Sequence, residues 1–476
     1  MAQKRLLVVV VVLVLLLIAS LAVTSYVALN NNRGPEPLYV GVTYCGNSVM
    51  EAKELIDEVK DCTNLFVLQS GTLQWNIEAM NEIGDYAIAS GLNYTVSGGT
   101  GNTVGLTAWL NDAKERWGEQ FIGIYYNDEP GGKMLDAHLD LEKMLIQEMT
   151  EDGPSNAWSI LSTINKEAGG KIVFQDPVSR IYYSYLPDGK VTVDNPLVTY
   201  YPNGTITIED YKMNNFYTPE NITKYPSQIL TYEQVLKQNP IQNNDDAARV
   251  FVNRLREEFE GRYLGCLNKT QLDQSILVFT ADYGLYWWDY QGGYNMVLAE
   301  LGWNNSITQE IGLVRGAANL HNKQWGTILT WKYTQTPYLP NGPEMFEQMK
   351  TSYEAGANYI IVFNYSENAT RPNTLQDEHF QALERFWNDV VQNPNIVHGG
   401  IKAEAALVLP QNYGWGMRNP NDSIWGIWQP DSTSQEIWNQ LQAKIDQYGT
   451  KLDIVYEDPN HPITGKYPHT HYWNQP

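Results

Sequence analysis

Cysteines, cations and charges of any kind are scarce in this chain, and each shortage excludes a class of protein. Three cysteines in 476 residues, Cys45, Cys62 and Cys266, cannot staple a disulfide scaffold. Cys45 and Cys62 look like a pair, but a helix over 48–60 holds their thiols about 20 Å apart at about 1.5 Å per residue, beyond disulfide reach. Free thiols are the expectation. Only 32 Lys and Arg stand against 54 Asp and Glu, a net charge of −22. Such a surface repels phosphate backbones, so no nucleic-acid partner is expected, and the acidity serves solubility. Charged residues make up 18% and hydrophobic ones 43%, which suits a folded globular protein and excludes a mainly disordered one. Signature motifs are scarce too: no nucleophile elbow, zinc signature or dinucleotide fingerprint stands in a convincing context. Gly98-Gly99-Thr100-Gly101 lacks the Lys-Ser/Thr of a phosphate-binding loop. His469 and His471 have the spacing of metal ligands but no acidic partner motif. No metal and no organic cofactor are expected.

Apolar and aromatic residues, by contrast, are plentiful, with 15 Trp and 31 Tyr. The run Leu6–Leu29 is almost wholly apolar and follows Lys4 and Arg5. It exceeds the roughly 20 residues that cross a bilayer and the about 7 to 15 of a cleaved signal's apolar region. Residues 1–29 therefore read as a transmembrane signal anchor and 30–37 as a polar linker, with the rest of the chain extracytoplasmic; cleavage would make it a secreted protein. Eight Asn-X-Ser/Thr sequons, starting at Asn93, Asn203, Asn221, Asn268, Asn304, Asn364, Asn368 and Asn421, suit a glycosylated exterior. Nothing indicates an oligomeric state.

After the linker, short β-branched and aromatic runs alternate with helical patterns, the signature of βαβ units. Strands are expected at 38–44, 64–69, 92–97, 121–126, 276–281, 295–300, 326–332 and 358–364. Helices are expected at 48–60, 76–90, 105–117, 245–264, 307–322, 343–355 and 375–392. Eight strands with interleaved helices favour an α/β fold of the (β/α)8 TIM-barrel type over 38–395. An insertion over 131–244 follows strand four. It opens with helical patterns at 134–149 and 157–168, then turns β-rich, with PDGK and PNGT as turn signals. It should lie on the face where the strands end, the catalytic face of such barrels. Residues 396–476 read as a small C-terminal α/β domain, with strands near 403–409 and 451–457 and a helix near 433–447.

Acids gather where the expected strands end. Strand four runs into Asn127-Asp128-Glu129-Pro130, strand five into Asp282 and strand six into Glu300. Aromatics crowd the same ends: Tyr283, Trp288, Trp303 and Trp331, with Asn364 closing strand eight. Indole and phenol rings offer amphipathic surfaces to the C–H face of a sugar. Trp415, Trp425 and Trp428 read equally as subsite walls or interface packing.

The strand-four ending resembles barrel glycoside hydrolases whose fourth strand closes in Asn-Glu. So does the order Glu300-Leu301-Gly302-Trp303-Asn304-Asn305, Arg315-Gly316-Ala317-Ala318, Trp325–Trp331 and Tyr353-Glu354-Ala355-Gly356-Ala357. The likeness covers about 38–392 outside the insertion and singles out no family. It implies a carbohydrate substrate, Glu129 as general acid, and Glu300, with Asp282 in reserve, as nucleophile or base. Asn127, Asp128, Tyr283, Trp288, Trp303, Trp331 and Asn364 are then substrate-binding candidates. One departure stands out: the large retaining clan with this acid carries its nucleophile after strand seven, where GTILTWKY has no carboxylate. Either the strand count is off by one, with KIVFQD a barrel strand, or the mechanism differs. The alternative is a carbohydrate-binding or cell-surface interaction protein that kept the barrel without the chemistry.

Overall fold

The computed structural model describes residues 37–98, 106–136, 241, 243–260, 267–303, 305–333, 338–365 and 375–475, and the backbone of seven strands between 164 and 217. The apolar run Leu6–Leu29 lies outside them; among the described residues no helix is long and apolar enough to cross a membrane.

Eight parallel strands close a barrel: Tyr39–Tyr44, Leu65–Leu68, Asn93–Gly98, Phe121–Tyr126, Leu277–Asp282, Met296–Leu301, Gln324–Leu329 and Tyr359–Val362. Strand eight returns to strand one with Tyr359 opposite Tyr39. Every strand expected from the sequence is present, because long apolar runs are what a sheet buried on both faces requires. Helices start where the polar caps stand. Ser48, Asn76, Ser306 and Asn341 each accept a backbone N–H three residues on, which removes one orphan donor per helix. Inside the barrel Leu65, Val67, Phe279, Met296, Leu298 and Ile361 form one cluster. Burying each such side chain contributes about 1.5–3 kcal/mol.

The chain leaves the barrel after strand four through the helix Pro130–Leu135 and returns through Asn244–Phe259. Between them seven strands pair antiparallel in chain order, and PDGK and PNGT each fall between two paired neighbours. Ile172–Gln175 belongs to this sheet, so KIVFQD is not a barrel strand and Glu300 does end strand six. The helix expected at 157–168 is corrected at its end, where Ile164–Lys166 is a strand. Residues 137–163, and the relation of this sheet to the barrel face, lie outside what is described.

Beyond the barrel, Ala405–Leu409 pairs parallel with Leu452–Tyr456 on one side and His469–Tyr472 on the other, and Ser432–Tyr448 is helical. These elements and the barrel belong to one compact body. Their seam runs along the barrel helix Ile307–His321. A Cβ on Gly312 or Gly316 would come within 2.8 Å of a carbonyl of strand 452–456, so glycine alone allows that approach. Between the two, Arg315 Nε lies 2.7 Å from Asp453, both buried. The Arg-Gly-Ala-Ala stretch is thus packing. Cys45 and Cys62 are free thiols. Asn364, one of the sequons, is 1% exposed and offers no room for a glycan.

Candidate active site

Strand four is irregular where it matters. Tyr94 pairs with Phe121 but Thr95 with Gly123, a bulge that skips Ile122. Gly123 has φ 159°, and a Cβ there would sit 2.1 Å from the Leu277 carbonyl. The bulge turns Tyr125 inward beside Ile122. Beyond it, Asn127 and Glu129 both take left-handed φ values, 61° and 53°. Leu285 and Trp303, past strands five and six, do the same at 54° and 49°. Non-glycine residues held this way cost about 1–3 kcal/mol each and cluster at ligand sites.

The turn carrying Glu129 is clamped from strand five. The Glu129 N–H donates to the Ala281 carbonyl at 3.0 Å. Asp282 accepts from the N–H groups of Gly131, Gly132 and Tyr283 at 2.5, 2.7 and 2.7 Å. Phe279 and Ala281 face the barrel interior, so Asp282 faces outward, and it is fully buried. Its oxygens hold the backbone of Gly131, Gly132 and Tyr283. The Tyr283 ring covers Gly132, where a Cβ would meet it at 2.1 Å, and its hydroxyl donates to Asp136 at 2.6 Å.

Glu300 has the opposite phase. It follows Met296 and Leu298, which face inward, and so points into the mouth. One oxygen each of Asp128, Glu129 and Glu300 lies within 4.8 Å of the others. The side chains of Asp128 and Glu129 are 46% and 27% exposed, whereas Glu300 is 5% exposed. Tyr125 stands beneath and donates its hydroxyl to Asp128. Lys133 Nζ donates to the Asp128 carbonyl at 2.7 Å and stands 3.6 Å from the carboxylates of both Asp128 and Glu129.

Burial first, then the Asp128 charge, pushes Glu129 up to about 7, against the pull of Lys133. Burial and then the Glu129 and Asp128 charges push Glu300 well above the ordinary carboxylate range. Two carboxyls this close titrate as a pair and retain one proton near neutral pH. Three crowded carboxylates also have the chemistry to hold a hard divalent cation. Here Lys133 already supplies positive charge to two of them, which fits a proton-sharing pair. His469 and His471 do not join this cluster; His471 meets the Tyr448 hydroxyl at 3.0 Å.

Of the remaining candidates, Trp303 is 46% exposed, with its N–H on the Trp331 carbonyl at 2.6 Å. Trp331 packs edge-on to Tyr338, Phe363 and Tyr365, and Tyr333 and Tyr365 are exposed beside it. Three candidates are held by other contacts. Asn127 turns outward and donates to Glu258 at 2.7 Å. Trp288 is fully buried in the seam, against Trp425 and Tyr456 at 4.6 and 4.5 Å. Asn364 is buried, its side-chain oxygen accepting from Leu375 at 3.4 Å. Trp415 and Trp425 are likewise seam packing, both at most 1% exposed. Two residues of the site escaped the sequence reading. Lys133 stands four after Glu129, a spacing that pairs charges on a helix; Tyr125 carried no signal.

Fold and site together define a closed (β/α)8 barrel with an acidic mouth. No family model and no curated protein matches the chain. Among solved structures, a GH5-4 broad specificity endoglucanase from Clostridium longisporum is similar over 71% of this chain and 86% of that one, at 8% identity and a TM-score of 0.27. At that TM-score the likeness carries no argument, and the barrel rests on its own strand pairings.

Proposed function

We propose that this protein is a glycoside hydrolase or transglycosidase that works with Glu129 and Glu300 as a carboxyl pair. The observation that carries the reading is their meeting at the mouth within 4.8 Å, from strands four and six. Glycosidic cleavage needs one carboxylic acid to protonate the leaving oxygen and one carboxylate to attack the anomeric carbon or activate water. Their nearest oxygens, within 4.8 Å of each other, stand closer than the roughly 6.5–9.5 Å separation that admits a water in inverting enzymes, which favours retention. Lys133 favours the ionised form of Glu129 and deep burial favours the neutral form of Glu300, so the shared proton rests on Glu300. Glu300 then donates that proton as the C–O bond breaks, and a Glu129 oxygen takes the anomeric carbon until water releases it. These roles are the reverse of those that the strand-four likeness implies. Asp282 supports Glu129 through Gly131 and Gly132, and Tyr283, Trp303 and Trp331 face the sugar.

Glu129→Gln and Glu300→Gln, assayed on a panel of glycosides, test this. Each should lower turnover on poor leaving groups by about 10²- to 10⁴-fold. Glu300→Gln should spare activated aryl glycosides, and Glu129→Gln should not. Small, equal losses in both variants would return the protein to the carbohydrate-binding reading, which the missing strand-seven carboxylate favours. We also propose that Leu6–Leu29 is a retained anchor that keeps the barrel outside the cell. A mature N-terminus between Ala22 and Ser25 would overturn that topology.

A further inference from the structure

Strand two and strand six lie four steps apart in either direction around the closed barrel, on opposite sides of its mouth. Both lead into turns with an exposed indole: Trp75, 48% exposed, after strand two, and Trp303, 46% exposed, after strand six. Exposed indoles on opposite sides of an acidic mouth offer amphipathic faces to a sugar ring. Neither turn is loose. Leu73 is 6% exposed and its N–H donates to the buried Ser70 hydroxyl at 2.9 Å, while Gln74 accepts from Ser97 at the end of strand three. The Trp303 N–H is held by the Trp331 carbonyl at 2.6 Å. The carboxyl pair, from strands four and six, stands at the mouth that these two platforms flank.

We infer that the substrate is a carbohydrate chain lying across the mouth from Trp75 to Trp303 and cut in its interior. Strands about 4.8 Å apart and tilted by about 36° close a cylinder about 15 Å wide, so a chain crossing it needs at least about four pyranose rings. A single terminal sugar would reach one platform only. Met50 and Ile77, 68% and 53% exposed, stand at the first turns of the helices after strands one and two. The inference rests on the carboxyl-pair reading above, since it is that pair which the chain must cross.

The test is titration of the full-length Glu129→Gln protein, in detergent, with β-1,4-gluco-, xylo-, manno- and chito-oligosaccharide ladders of two to eight rings. Affinity should rise with length to at least about four rings. Adding Trp75→Ala should weaken binding of the long members by about three- to tenfold and leave the two-ring members unchanged. Adding Trp303→Ala should weaken both. Equal affinity at all lengths, or long-chain binding indifferent to Trp75→Ala, overturns the cleft. In that case cleavage of short glycosides by the wild type would leave the carboxyl-pair reading standing. If no member of any ladder binds and the wild type cleaves none, both fall, and Trp75, Met50 and Ile77 become a protein-docking rim.

Discussion

At the seam with the C-terminal strands, Trp288, Trp415 and Trp425 are at most 1% exposed; at the mouth, Trp303, Tyr333 and Tyr365 are 46%, 42% and 37% exposed. The charges divide the same way. In the seam Arg315 meets Asp453 at 2.7 Å, and Arg418 reaches Asp422 and Asp136 at 2.7 Å each. At the mouth three carboxylates crowd around one lysine 3.6 Å from two of them, and two of the acids carry strongly raised proton affinities. Both regions use aromatic rings and acids, but the seam buries its rings, whereas at the mouth the rings stay exposed and two carboxylates share one lysine. Repulsion and exposed rings left in place at the mouth mark a region arranged for a ligand.

Deleting matched side chains should separate the two regions most strongly. Arg315→Met leaves Asp453 buried without its partner and should cost about 3–5 kcal/mol in urea unfolding. Trp288→Ala should cost about 3–5 kcal/mol by the cavity it leaves. Trp303→Ala should fall within about 0.5 kcal/mol of wild type, as exposed residues do. A Trp303 variant as unstable as the Trp288 variant would erase the distinction.

A smaller effect lies in pH, where the two regions should slope in opposite directions. Glu129 is raised from 4.5 to about 7, so the folded state binds its proton more tightly than the unfolded chain does. Its contribution to stability is present below about pH 4.5 and is lost as pH rises toward 7. Glu129→Gln, which cannot ionise, should therefore gain on wild type by on the order of 2 kcal/mol above pH 7 and match it in acid. His321, at the seam, is lowered from 6.5 to about 4, by burial first, and its ring lies 3.9 Å from that of His461. The folded state favours the neutral ring, so stability is present above about pH 6.5 and is lost as pH falls toward 4. His321→Gln should flatten that acid limb in thermal melts across pH. A wild-type curve whose acid limb is unchanged by His321→Gln would refute the assignment.

The smallest effect sharpens the mouth itself. Lys133→Met removes the only cation beside Glu129 among the described residues and should raise the apparent pKa of the carboxyl pair by about half a unit to one unit. The pH–rate profile on an activated glycoside reads that shift, and an unmoved or acid-shifted limb would show that Lys133 does not tune the pair.

Composition and pattern alone carried the architecture. Eight apolar runs separated by capped helical patterns specify eight buried strands, and the PDGK and PNGT turns specify hairpins in the insertion, because turn chemistry and burial act locally. The same reading located Asp128, Glu129, Asp282 and Glu300 at strand ends. It did not separate them, because a strand buried on both faces has no polar alternation to reveal which way each residue points. Met296, Leu298 and Glu300 face the barrel axis, whereas the one-residue offset of Asp282 from Ala281 sends its carboxyl outward onto Gly131 and Gly132. The bulge at Gly123, set by the close approach of Leu277, brought Tyr125 beneath the acids. Trp288 and Trp303 are equally apolar in the sequence; only the arrival of Tyr456 and Trp425 from a distant part of the chain decided that one is core and the other surface.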